Sequence, residues 1–514
     1  MTTKKEFGDF QTPLSLAREV TALIDELIGR PETVIEPTAG LGSFLDAAQT
    51  QWQNNAMYQG FEVNPSYVAQ AKARLFARGV QISRQNFFGA DWRRILGSSG
   101  KKTLVIGNPP WVTNATLGGL SSSNLPEKTN FQKLRGFDAK TGKANFDIAE
   151  WILIRLIEAL PATGALAMLC KTMTARKVLR HFWKTTGGLV DSSLFLIDAK
   201  LHFGVSVDAC LLMVRGERCA ERKATVYSKL SKVSKVSEFG LVDGQLVSDV
   251  DSYLEYRGLG GGSPYTWRSG VKHDASSVME FRPYNGHYRN GFEQDVKIEP
   301  DFIYPLLKSS DLGNQRTRPR RAVLITQMKT GDQTDLIKDI APRTWLYLEQ
   351  HSDKLDGRKS SIYQNRPRFS IFGIGDYSFS PWKVAISGLY KTFRFVAIPP
   401  SESRPVMVDD TCYFIPCSCE AEAHLLCGLF NSEPSQRFLS SLAFEDSKRP
   451  ITTELLRRIS VVEVARRLGK YDELCKYIQS SAVNVDNDRA QMRLVMEKGV
   501  EYRSRRSSRE PSCN

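Results

Sequence analysis

Between about residues 33 and 215, short apolar segments alternate with longer segments whose apolar residues recur at helical spacing. The short segments are rich in Val, Ile and Leu, and the longer ones place apolar residues at i, i+3 and i+4. The predicted strands are TVIEP, MYQGFEV, TLVIGNPP, GALAMLC, SSLFLID and VDACLLMV. Alternation of this kind predicts an α/β domain in which helices cover both faces of a parallel sheet.

The chain carries an excess of basic residues, which narrows the choice of partner. Among its 514 residues, 70 are Lys or Arg and 56 are Asp or Glu, giving a formal net charge of +14. The length allows two or three domains, and the basic excess favours a polyanionic partner, nucleic acid first, over a merely soluble basic surface. We expect no membrane partner and a cytoplasmic location, because the sequence offers neither a long apolar stretch nor a signal peptide.

The cysteines predict reduced thiols rather than disulfides or a metal site. The 9 cysteines are scattered along the chain, a pattern typical of buried thiols in a reducing compartment. The densest group contains Cys412, Cys417, Cys419, His424 and Cys427, and it lacks the CxxC pairs of a zinc ribbon. We therefore predict that the protein has no metal site.

Changes in composition predict where the domains begin and end. The segment RGLGGGSP, residues 257–264, is predicted to be a flexible joint, and residues 112–145 form a loop rich in Gly, Ser, Asn and Lys. A loop of that length is usually functional or disordered, and we expect this one to be mobile. We predict a first domain over 1–257, a second over 264–468, and a helical, basic and partly disordered tail over 469–514.

The segment VIEPTAGLGSFL predicts a nucleotide-binding turn. A strand leads into a turn containing Gly40 and Gly42, and glycine lets the backbone turn tightly and a ligand approach it closely. The next strand ends at Glu62, where an acidic side chain accepts hydrogen bonds from ribose hydroxyls. No P-loop lysine follows the glycines, and a carboxylate at Glu36 suits an ammonium or sulfonium better than a pyrophosphate. These features favour S-adenosyl-L-methionine over a nucleoside triphosphate or NAD.

The segment GNPPW ends a predicted strand abruptly. Two prolines cannot donate to the ladder of a central strand, so the run Asn108, Pro109, Pro110 and Trp111 predicts a rigid turn. These four residues match the pattern [DNS]PP[YFW], and the cofactor motifs precede them in the sequence. In both respects the chain resembles the adenine-N6 DNA methyltransferases of the gamma order. The resemblance covers residues 7 to about 215 and runs through FGDFQTP, VIEPTAGLGSFL, GFEVNP, GNPPW, ANFDIAEWIL and FGVSVDACLLMV.

This resemblance implies a fold, a cofactor and a reaction. The fold would be a Rossmann-like class I methyltransferase domain with a mixed, mostly parallel sheet, followed by an α+β target-recognition domain. The reaction would transfer a methyl group from S-adenosyl-L-methionine to the N6 amino group of adenine in double-stranded DNA, after the base is flipped out. Such a protein would be the modification component of a restriction-modification or phage-defence system, and any restriction endonuclease would be a separate chain.

The tetrad suggests how a poor nucleophile is activated. The lone pair of an exocyclic amino group is delocalised into the ring, and acceptors on its two N–H groups draw the nitrogen toward tetrahedral geometry. The side-chain oxygen of Asn108 would supply one acceptor and the carbonyl of Pro109 the other, with Pro110 keeping the unit rigid. Trp111 would offer a flat face to the flipped base, a stacking contact of about 1–3 kcal/mol.

Further site residues follow from the resemblance. Thr12, in FQTP, matches a threonine near the methionine moiety of the cofactor, and Glu36 and Thr38 match the carboxylate and small residue of the glycine turn. Phe203, in LHFGVSV, matches an aromatic residue that packs against the flipped base. A core phenylalanine is an equally good interpretation of Phe203.

The position that would bind the cofactor adenine has two candidates. The family usually has an Asp-Phe pair at the end of the third strand, where the Asp accepts a hydrogen bond from the adenine amino group. This chain has Asn86 and Phe87 there, and an asparagine oxygen still accepts, although without charge. Asp91 is the competing candidate, and the sequence does not decide between them.

The second half resembles, more loosely, the target-recognition portion of some restriction-linked adenine methyltransferases. It contains basic residues suited to phosphates and, in a few cases, to guanine edges. They are Lys272, Arg316, Arg318, Arg320, Arg321, Lys383, Lys391, Arg394 and Lys448. Two other interpretations stay open: an RNA or protein-glutamine N-methyltransferase, because the tetrad also serves those substrates, and a non-catalytic DNA-binding specificity subunit.

Overall fold

The chain forms two compact units, Met1–Asp251 and Ser252–Asn514. The structure, a computed structural model, describes residues 10–97, 102–112, 147–185, 188–189, 192–444, 446 and 449–478. All but the first residue of the predicted loop at 112–145 lies outside the described residues, as does the tail beyond residue 478. In the described part of the chain, no helix combines the length and the apolar character that crossing a bilayer requires.

The first unit is a large sheet with helices packed against it. Its strands are β1 (Thr33–Glu36), β2 (Met57–Glu62), β3 (Val80–Arg84), β4 (Thr103–Gly107), β5 (Ala165–Lys171), β6 (Gly188–Leu189), β7 (Ser193–Ile197), β8 (Ala209–Arg215), β9 (Arg218–Cys219), β10 (Lys223–Tyr227), β11 (Lys235–Val242) and β12 (Gln245–Val247). Its helices are α1 (Leu14–Ile28), α2 (Ser43–Trp52), α3 (Pro65–Leu75), α4 (Trp92–Gly97), α5 (Ile148–Ala159), α6 (Thr172–Thr185), α7 (Ala199–Phe203) and α8 (Val250–Tyr256), the last of which continues into the second unit.

Among the described residues, ten strands form the main sheet, in the order β12-β11-β10-β7-β8-β5-β4-β1-β2-β3. Strands β1 to β5 pair in parallel, and β10 is parallel to β7. Strand β8 is antiparallel to both of its neighbours, and β11 and β12 add an antiparallel edge. The predicted α/β fold with a mixed, mostly parallel sheet is therefore confirmed.

The central strands are apolar along their whole length because both of their faces are covered. Every residue of β1 and β4 is buried, whereas β2, nearer the edge, alternates between buried and partly exposed positions. Strands buried on both faces lack the period of two that marks half-exposed strands. This burial explains why the sequence shows these strands as continuous apolar segments.

Polar caps determine where several helices begin. Asn64, Asp147 and Asp198 each accept hydrogen bonds from backbone N–H groups in the first turn of α3, α5 and α7, respectively. Such side chains satisfy N–H groups that have no partner inside the helix. Helix α7 carries Phe203 at its last position and ends at Gly204, whose φ of 69° lies in the left-handed region.

The second unit is an α+β arrangement containing two sheets. Its strands are β13 (Arg268–Ser269), β14 (Glu280–Tyr284), β15 (His287–Arg289), β16 (Asp295–Val296), β17 (Ile303–Leu307), β18 (Arg321–Leu324), β19 (Trp382–Ser387), β20 (Val396–Ile398), β21 (Met407–Val408) and β22 (Cys412–Cys417). Its helices are α9 (Ser276–Met279), α10 (Ser309–Gly313), α11 (Ile337–Ile340), α12 (Pro342–Gln350), α13 (Ser352–Asp356), α14 (Glu420–Asn431), α15 (Glu433–Leu442), α16 (Thr453–Leu456) and α17 (Val461–Arg467), and residues 471–478 are also helical. The sheet orders are β16-β15-β14-β18-β17-β21 and β13-β22-β19-β20.

The glycine-rich segment at 257–264, which the sequence predicts to be a flexible joint, forms backbone hydrogen bonds within the second unit. Arg257–Leu259 forms a 3-10 turn. The N–H of Gly261 donates to the carbonyl of Arg458 at 3.0 Å, and the N–H of Ser460 donates to the carbonyl of Leu259 at 2.8 Å. A glycine-rich segment can therefore mark a place where two backbones come close together, and its composition alone does not distinguish this from a flexible joint. The predicted domain boundaries stay predictions.

Lys383 also departs from the expectation that the basic residues of the second half face DNA. It lies in β19 with 1% of its surface exposed, and its Nζ donates to the carbonyl of Ser380 at 2.7 Å. Burial lowers the pKa of Lys383 to about 7, so this lysine belongs to the core. Lys448 lies outside the described residues. The exposed members of the predicted set are Arg316, Arg318, Arg320, Lys391 and Arg394.

Candidate functional site

The predicted cofactor turn and the predicted catalytic turn lie side by side. Strands β1 and β4 are parallel neighbours, with Ile35 opposite Val105. The strand order reverses between them, because β2 and β3 continue on one side and β5 on the other. In open α/β sheets, ligands bind beyond the carboxyl ends of the strands at such a switch point. Glu36, at the end of β1, and Asn108, directly after β4, therefore lie at the same crevice.

The turn after β1 has the backbone that its glycines predict. Gly40 and Gly42 have φ of 52° and 77°, in the left-handed region that favours glycine. A Cβ atom on Gly42 would lie 2.8 Å from Cδ1 of Leu75 in α3, so the Leu75 side chain or the turn would have to shift to admit a side chain. Glu62, at the end of β2, accepts hydrogen bonds at 2.8 Å from the N–H groups of Gly40 and Asn64. The two glycines and Glu62 thus come together, and the carboxylate braces the turn.

Gln11 contacts the same turn and was not among the predicted site residues. Its Oε1 accepts a hydrogen bond from the N–H of Leu41 at 3.1 Å. The same atom lies 2.7 Å from the position that a Cβ atom on Gly40 would occupy. The residues joined by this bond are 30 positions apart, and the only signal in the sequence is that Gln11 precedes the predicted Thr12.

Two polar atoms of the turn are buried without a hydrogen-bond partner among the residues that the structure describes. They are Oε2 of Glu36 and Oγ1 of Thr38, although buried polar atoms are normally paired. Burial raises the pKa of the Glu36 carboxyl well above its usual range, the backbone N–H of Leu45 opposes that rise, and the nearby Glu62 adds to it. An unpaired carboxyl oxygen and an unpaired hydroxyl in one turn fit a cationic group that carries N–H donors.

The amide of Asn108 has a defined orientation. Its Nδ2 donates to the carbonyl of Phe10 at 3.0 Å and to Oγ1 of Thr12 at 3.3 Å. A carbonyl can only accept, so the nitrogen must face Phe10 and the oxygen must point elsewhere. That oxygen, Oδ1, is buried and has no hydrogen-bond partner in the described part of the chain. The side chain therefore offers one fixed and unused acceptor, and Thr12 contributes to holding it.

Three aromatic rings cluster at the predicted catalytic turn. Trp111 lies 5.3 Å from Phe203 and 5.8 Å from Phe10, measured between ring centroids, and Phe10 lies 6.1 Å from Phe203. The Trp111 and Phe203 rings meet at 69°, so one can present its face and the other its edge to a planar guest. Only 6% of Trp111 is exposed. Phe10 was not predicted, because its contact with the turn joins residues far apart in the chain.

The two candidates for the cofactor adenine are both helix-capping residues. Oδ1 of Asn86 accepts a hydrogen bond from the N–H of Phe88 at 3.0 Å, and Oδ1 of Asp91 accepts one from the N–H of Arg94 at 3.1 Å. Asn86 is half-buried and Asp91 is exposed, while Phe87 is buried against tryptophan rings. Each carboxyl or amide group is already used locally, so the choice between Asn86 and Asp91 stays open.

The cysteine-rich segment is divided between a strand and a helix. Cys412 and Cys417 are the ends of β22, and Cys427 lies in α14. The cysteines in the described part of the chain are free thiols. Within the same residues, no group of three or more His, Cys, Asp or Glu side chains is arranged to hold a metal ion.

Comparison with known proteins identifies one curated relative that matches over nearly the whole chain. It is the type II methyltransferase M.NspV from Nostoc sp., which is 42% identical over 470 residues, or 90% of this chain and 98% of the relative. No protein-family model matches the chain.

Two solved restriction-modification structures are also similar. The type IIL restriction-modification enzyme MmeI in complex with DNA has a TM-score of 0.45 and 13% identity, covering 80% of this chain and 60% of that one. The type IIG restriction endonuclease BpuSI has a TM-score of 0.37 and 14% identity, covering 87% of this chain and 58% of that one. The chain thus spans less than two thirds of the length of either structure.

Proposed function

This chain belongs to the type II methyltransferases, and from that membership we propose that it methylates the N6 amino group of adenine at a specific site in double-stranded DNA. The target base is flipped out of the duplex before methyl transfer. The protein acts as the modification component of a restriction-modification or phage-defence system. Any partner restriction endonuclease is a separate chain.

The family membership confirms the predicted DNA methyltransferase of the restriction-modification kind, with a Rossmann-like class I fold and S-adenosyl-L-methionine as cofactor. When bound, S-adenosyl-L-methionine supplies an electrophilic methyl group on its sulfonium. The turn after β1 fits the ammonium group of this cofactor, because Oε2 of Glu36 and Oγ1 of Thr38 are buried acceptors without partners among the described residues. We assign them to the ammonium and Glu62 to the ribose hydroxyls, since each carboxylate oxygen accepts more than one hydrogen bond. Phe87, with Asn86 or Asp91, would border the adenine.

The free oxygen of Asn108 is the observation that carries the proposal. The anchored Nδ2 leaves Oδ1 as the only acceptor that the side chain can present. It accepts one N–H of the target amino group, and the carbonyl of Pro109 accepts the other. Two acceptors draw the nitrogen toward tetrahedral geometry and free its lone pair. The new nitrogen–methyl bond would replace the methyl–sulfur bond of the bound cofactor, S-adenosyl-L-homocysteine would leave, and the nitrogen would lose a proton to solvent.

The aromatic cluster supports recognition of a flipped base. Stacking on Trp111 offers about 1–3 kcal/mol, which offsets part of the few kcal/mol lost when a base leaves the duplex. Phe203 borders the base from the side, because its ring stands at 69° to that of Trp111. A cluster of three aromatic rings suits a planar base and offers no charge to a phosphate.

The test is methyl transfer to duplex DNA by the purified full-length chain. Labelled S-adenosyl-L-methionine and plasmid DNA are incubated with the protein, and the DNA is digested to nucleosides and separated. We expect label in N6-methyladenine with the parent protein and a large loss with Asn108→Ala. Sequencing that detects modified bases then maps the methylated site in DNA from cells that express the protein.

The other outcomes separate the alternatives. Label in a different base contradicts the adenine assignment, and label in RNA or in a release factor but not in DNA favours the other two substrate classes. DNA binding without methyl transfer and without binding of S-adenosyl-L-homocysteine favours a non-catalytic specificity subunit.

A further inference from the structure

A charged pair lies beside the catalytic turn and has no part in the mechanism above. Strand β4 ends at Gly107, opposite Met168 of β5, and β5 continues to Lys171. The longer strand therefore carries Lys171 past the end of β4 to the side of the turn. There its Nζ donates to the carbonyl of Trp111 at 3.1 Å and to Oδ2 of Asp147 at 2.9 Å.

Asp147 is itself held on several sides. Its Oδ1 caps α5 by accepting from the N–H of Ala149 at 3.2 Å, and its Oδ2 also lies 3.5 Å from Oγ1 of Thr174. The carboxylate is 9% exposed and the Lys171 side chain 28% exposed. An ion pair that is mostly removed from water and has further hydrogen bonds keeps a fixed geometry, unlike an exposed pair.

The turn is thus tied at both ends by the protein. At the Asn108 end, the amide is bonded to the carbonyl of Phe10. At the other end, the carbonyl of Trp111 is bonded to Lys171, and the carbonyl of Val112 accepts from the N–H of Ile148 at 3.0 Å. The bonds to Trp111 and Val112 both involve the start of α5, because Lys171 is paired with Asp147, the residue that caps this helix, and Ile148 is its first residue.

We propose that Lys171, held by Asp147, is a positioning residue that fixes the main chain at Trp111 and so keeps residues 108–111 in the geometry that binds the target amino group. The proposal rests on the proposed function, because the turn is taken to be catalytic. The ammonium acts through the Trp111 carbonyl and contacts neither the base nor the cofactor. A displacement of about 1 Å in a catalytic group can cost up to about a hundredfold in rate.

The test compares Lys171→Met with Lys171→Arg and with a control, Lys177→Met. Methionine keeps most of the apolar stem and removes the donor, whereas arginine keeps a charged donor. Lys177, in α6, pairs at 3.7 Å with Glu150 of α5, the helix that Asp147 caps, and the Lys177 side chain is 50% exposed. Its replacement therefore removes an ion pair from α5 without removing a contact of the turn. Steady-state kinetics give kcat and KM for S-adenosyl-L-methionine, and thermal unfolding shows whether each variant is folded.

We expect Lys171→Met to lower kcat by about tenfold to a hundredfold with little change in KM for the cofactor, and Lys171→Arg to recover much of the loss. Lys177→Met should match the parent. A kcat for Lys171→Met equal to that of Lys177→Met overturns the proposal, and so does an effect confined to KM.

A second variant and a second measurement keep the proposal testable if Lys171→Met folds poorly or the parent is inactive. Asp147→Asn keeps a cap for α5 but removes the charge that holds Lys171, and it should show the same kcat loss. Hydrogen exchange at the amide of Ile148 should be faster in Asp147→Asn than in Lys177→Met, and equal rates overturn the proposal without any turnover. The identity of the methylated base in the parent reaction tests the proposed function separately.

Discussion

At the scale of single residues, Asn108 uses the two ends of its amide differently. The nitrogen is anchored on Phe10 and Thr12, and the oxygen is unused. We expect Asn108→Ala to lower single-turnover methyl transfer at saturating cofactor by at least about a hundredfold, the usual loss when one positioned transition-state group is removed. Cofactor binding, measured in parallel, should hardly change, because Glu36 and Glu62, to which we assign the ammonium and the ribose, lie at the ends of β1 and β2. Transfer at close to the parent rate would contradict the mechanism.

Asn108→Asp is the matched control for this prediction. A carboxylate still accepts a hydrogen bond from the amino group, but it cannot donate to the carbonyl of Phe10 as the Nδ2 of Asn108 does. The acceptor is therefore kept and its anchor lost. We expect a rate between those of the parent and Asn108→Ala.

Glu36 predicts a pH dependence of cofactor binding. Burial holds the pKa of its carboxyl well above the usual range, so the free protein keeps this proton at pH values where most carboxyls are ionised. A bound ammonium favours the ionised form, and the affinity for S-adenosyl-L-homocysteine should rise with pH above the ordinary carboxyl range, toward the raised pKa of Glu36. Calorimetric titrations of the parent and of Glu36→Gln check this, and the variant should show a flatter pH profile.

The same proton affects the stability of the cofactor-free protein with the opposite sign. Because the folded pKa of Glu36 is raised above the ordinary value of 4.5, the folded chain holds a proton that the unfolded chain releases. The free energy of unfolding therefore falls as pH rises from that value toward the raised pKa. Glutamine does not titrate, so the free energy of unfolding of Glu36→Gln should not show this fall. The difference in the free energy of unfolding, variant minus parent, should therefore increase with pH. An advantage independent of pH would show that the carboxyl does not titrate as proposed.

At the scale of an element, the turn between β1 and α2 can be tested with two glycines of matched conformation. Gly42 and Gly79 have φ of 77° and 76°, but a Cβ atom on Gly42 would lie 2.8 Å from Leu75, whereas one on Gly79 would meet open space. Both changes to Ala should cost about 1–2 kcal/mol of stability for the left-handed backbone. Only Gly42→Ala should also weaken S-adenosyl-L-homocysteine binding, because it displaces the turn. Equal affinities of the two variants would remove this turn from the cofactor site.

The order of strands and helices in the first unit could be predicted because each element carries its own period. The segments predicted as strands correspond to β1, β2, β4, β5, β7 and β8. The periodicity does not predict β3, because it lies at the edge of the sheet and three of its five side chains are exposed, and only the family resemblance implies a third strand before Asn86. The partners of β8 could not be predicted either, since antiparallel insertion between β5 and β7 is decided by packing of the whole sheet.

The sequence predicts those site residues that belong to local motifs. It does not predict those that reach the site through contacts between residues far apart in the sequence. The turns at Gly40 and Asn108 are local, and their sequences limit the backbone directly. Phe10 meets Asn108 across 98 positions, and Lys171 meets Trp111 across 60, so neither contact has a local signal. Lys383 shows the reverse error, because a basic residue was assigned to the surface by composition although it is buried in β19.

At the scale of the whole molecule, the division into units decides how sequence specificity should be exchanged. Residues 252–256 of helix α8 and the glycine-rich segment pack within the second unit: Tyr253 stacks on Phe438 with ring centroids 6.1 Å apart, and Arg467 lies 4.9 Å over the ring of Tyr256. Residues 257–264 are bonded to the start of α17. A junction at residue 264 would therefore separate these groups from their partners, whereas one between Asp251 and Ser252 would keep them together.

We expect a chimera joined between Asp251 and Ser252, with the second unit of a relative that modifies another sequence, to methylate the relative's sequence. The catalytic turn and the cofactor turn both lie in the first unit, so the chemistry should be retained, while the exposed arginines at 316, 318 and 320 and the rest of the second unit would be replaced. A second chimera joined at residue 264 should unfold at a lower temperature, because it loses the contacts of Tyr253, Tyr256 and Gly261. Sequencing for modified bases in cells that express each chimera gives the site. If the first chimera still methylates the sequence chosen by the parent, the second unit does not select the target, and sequence recognition must lie in residues 1–251.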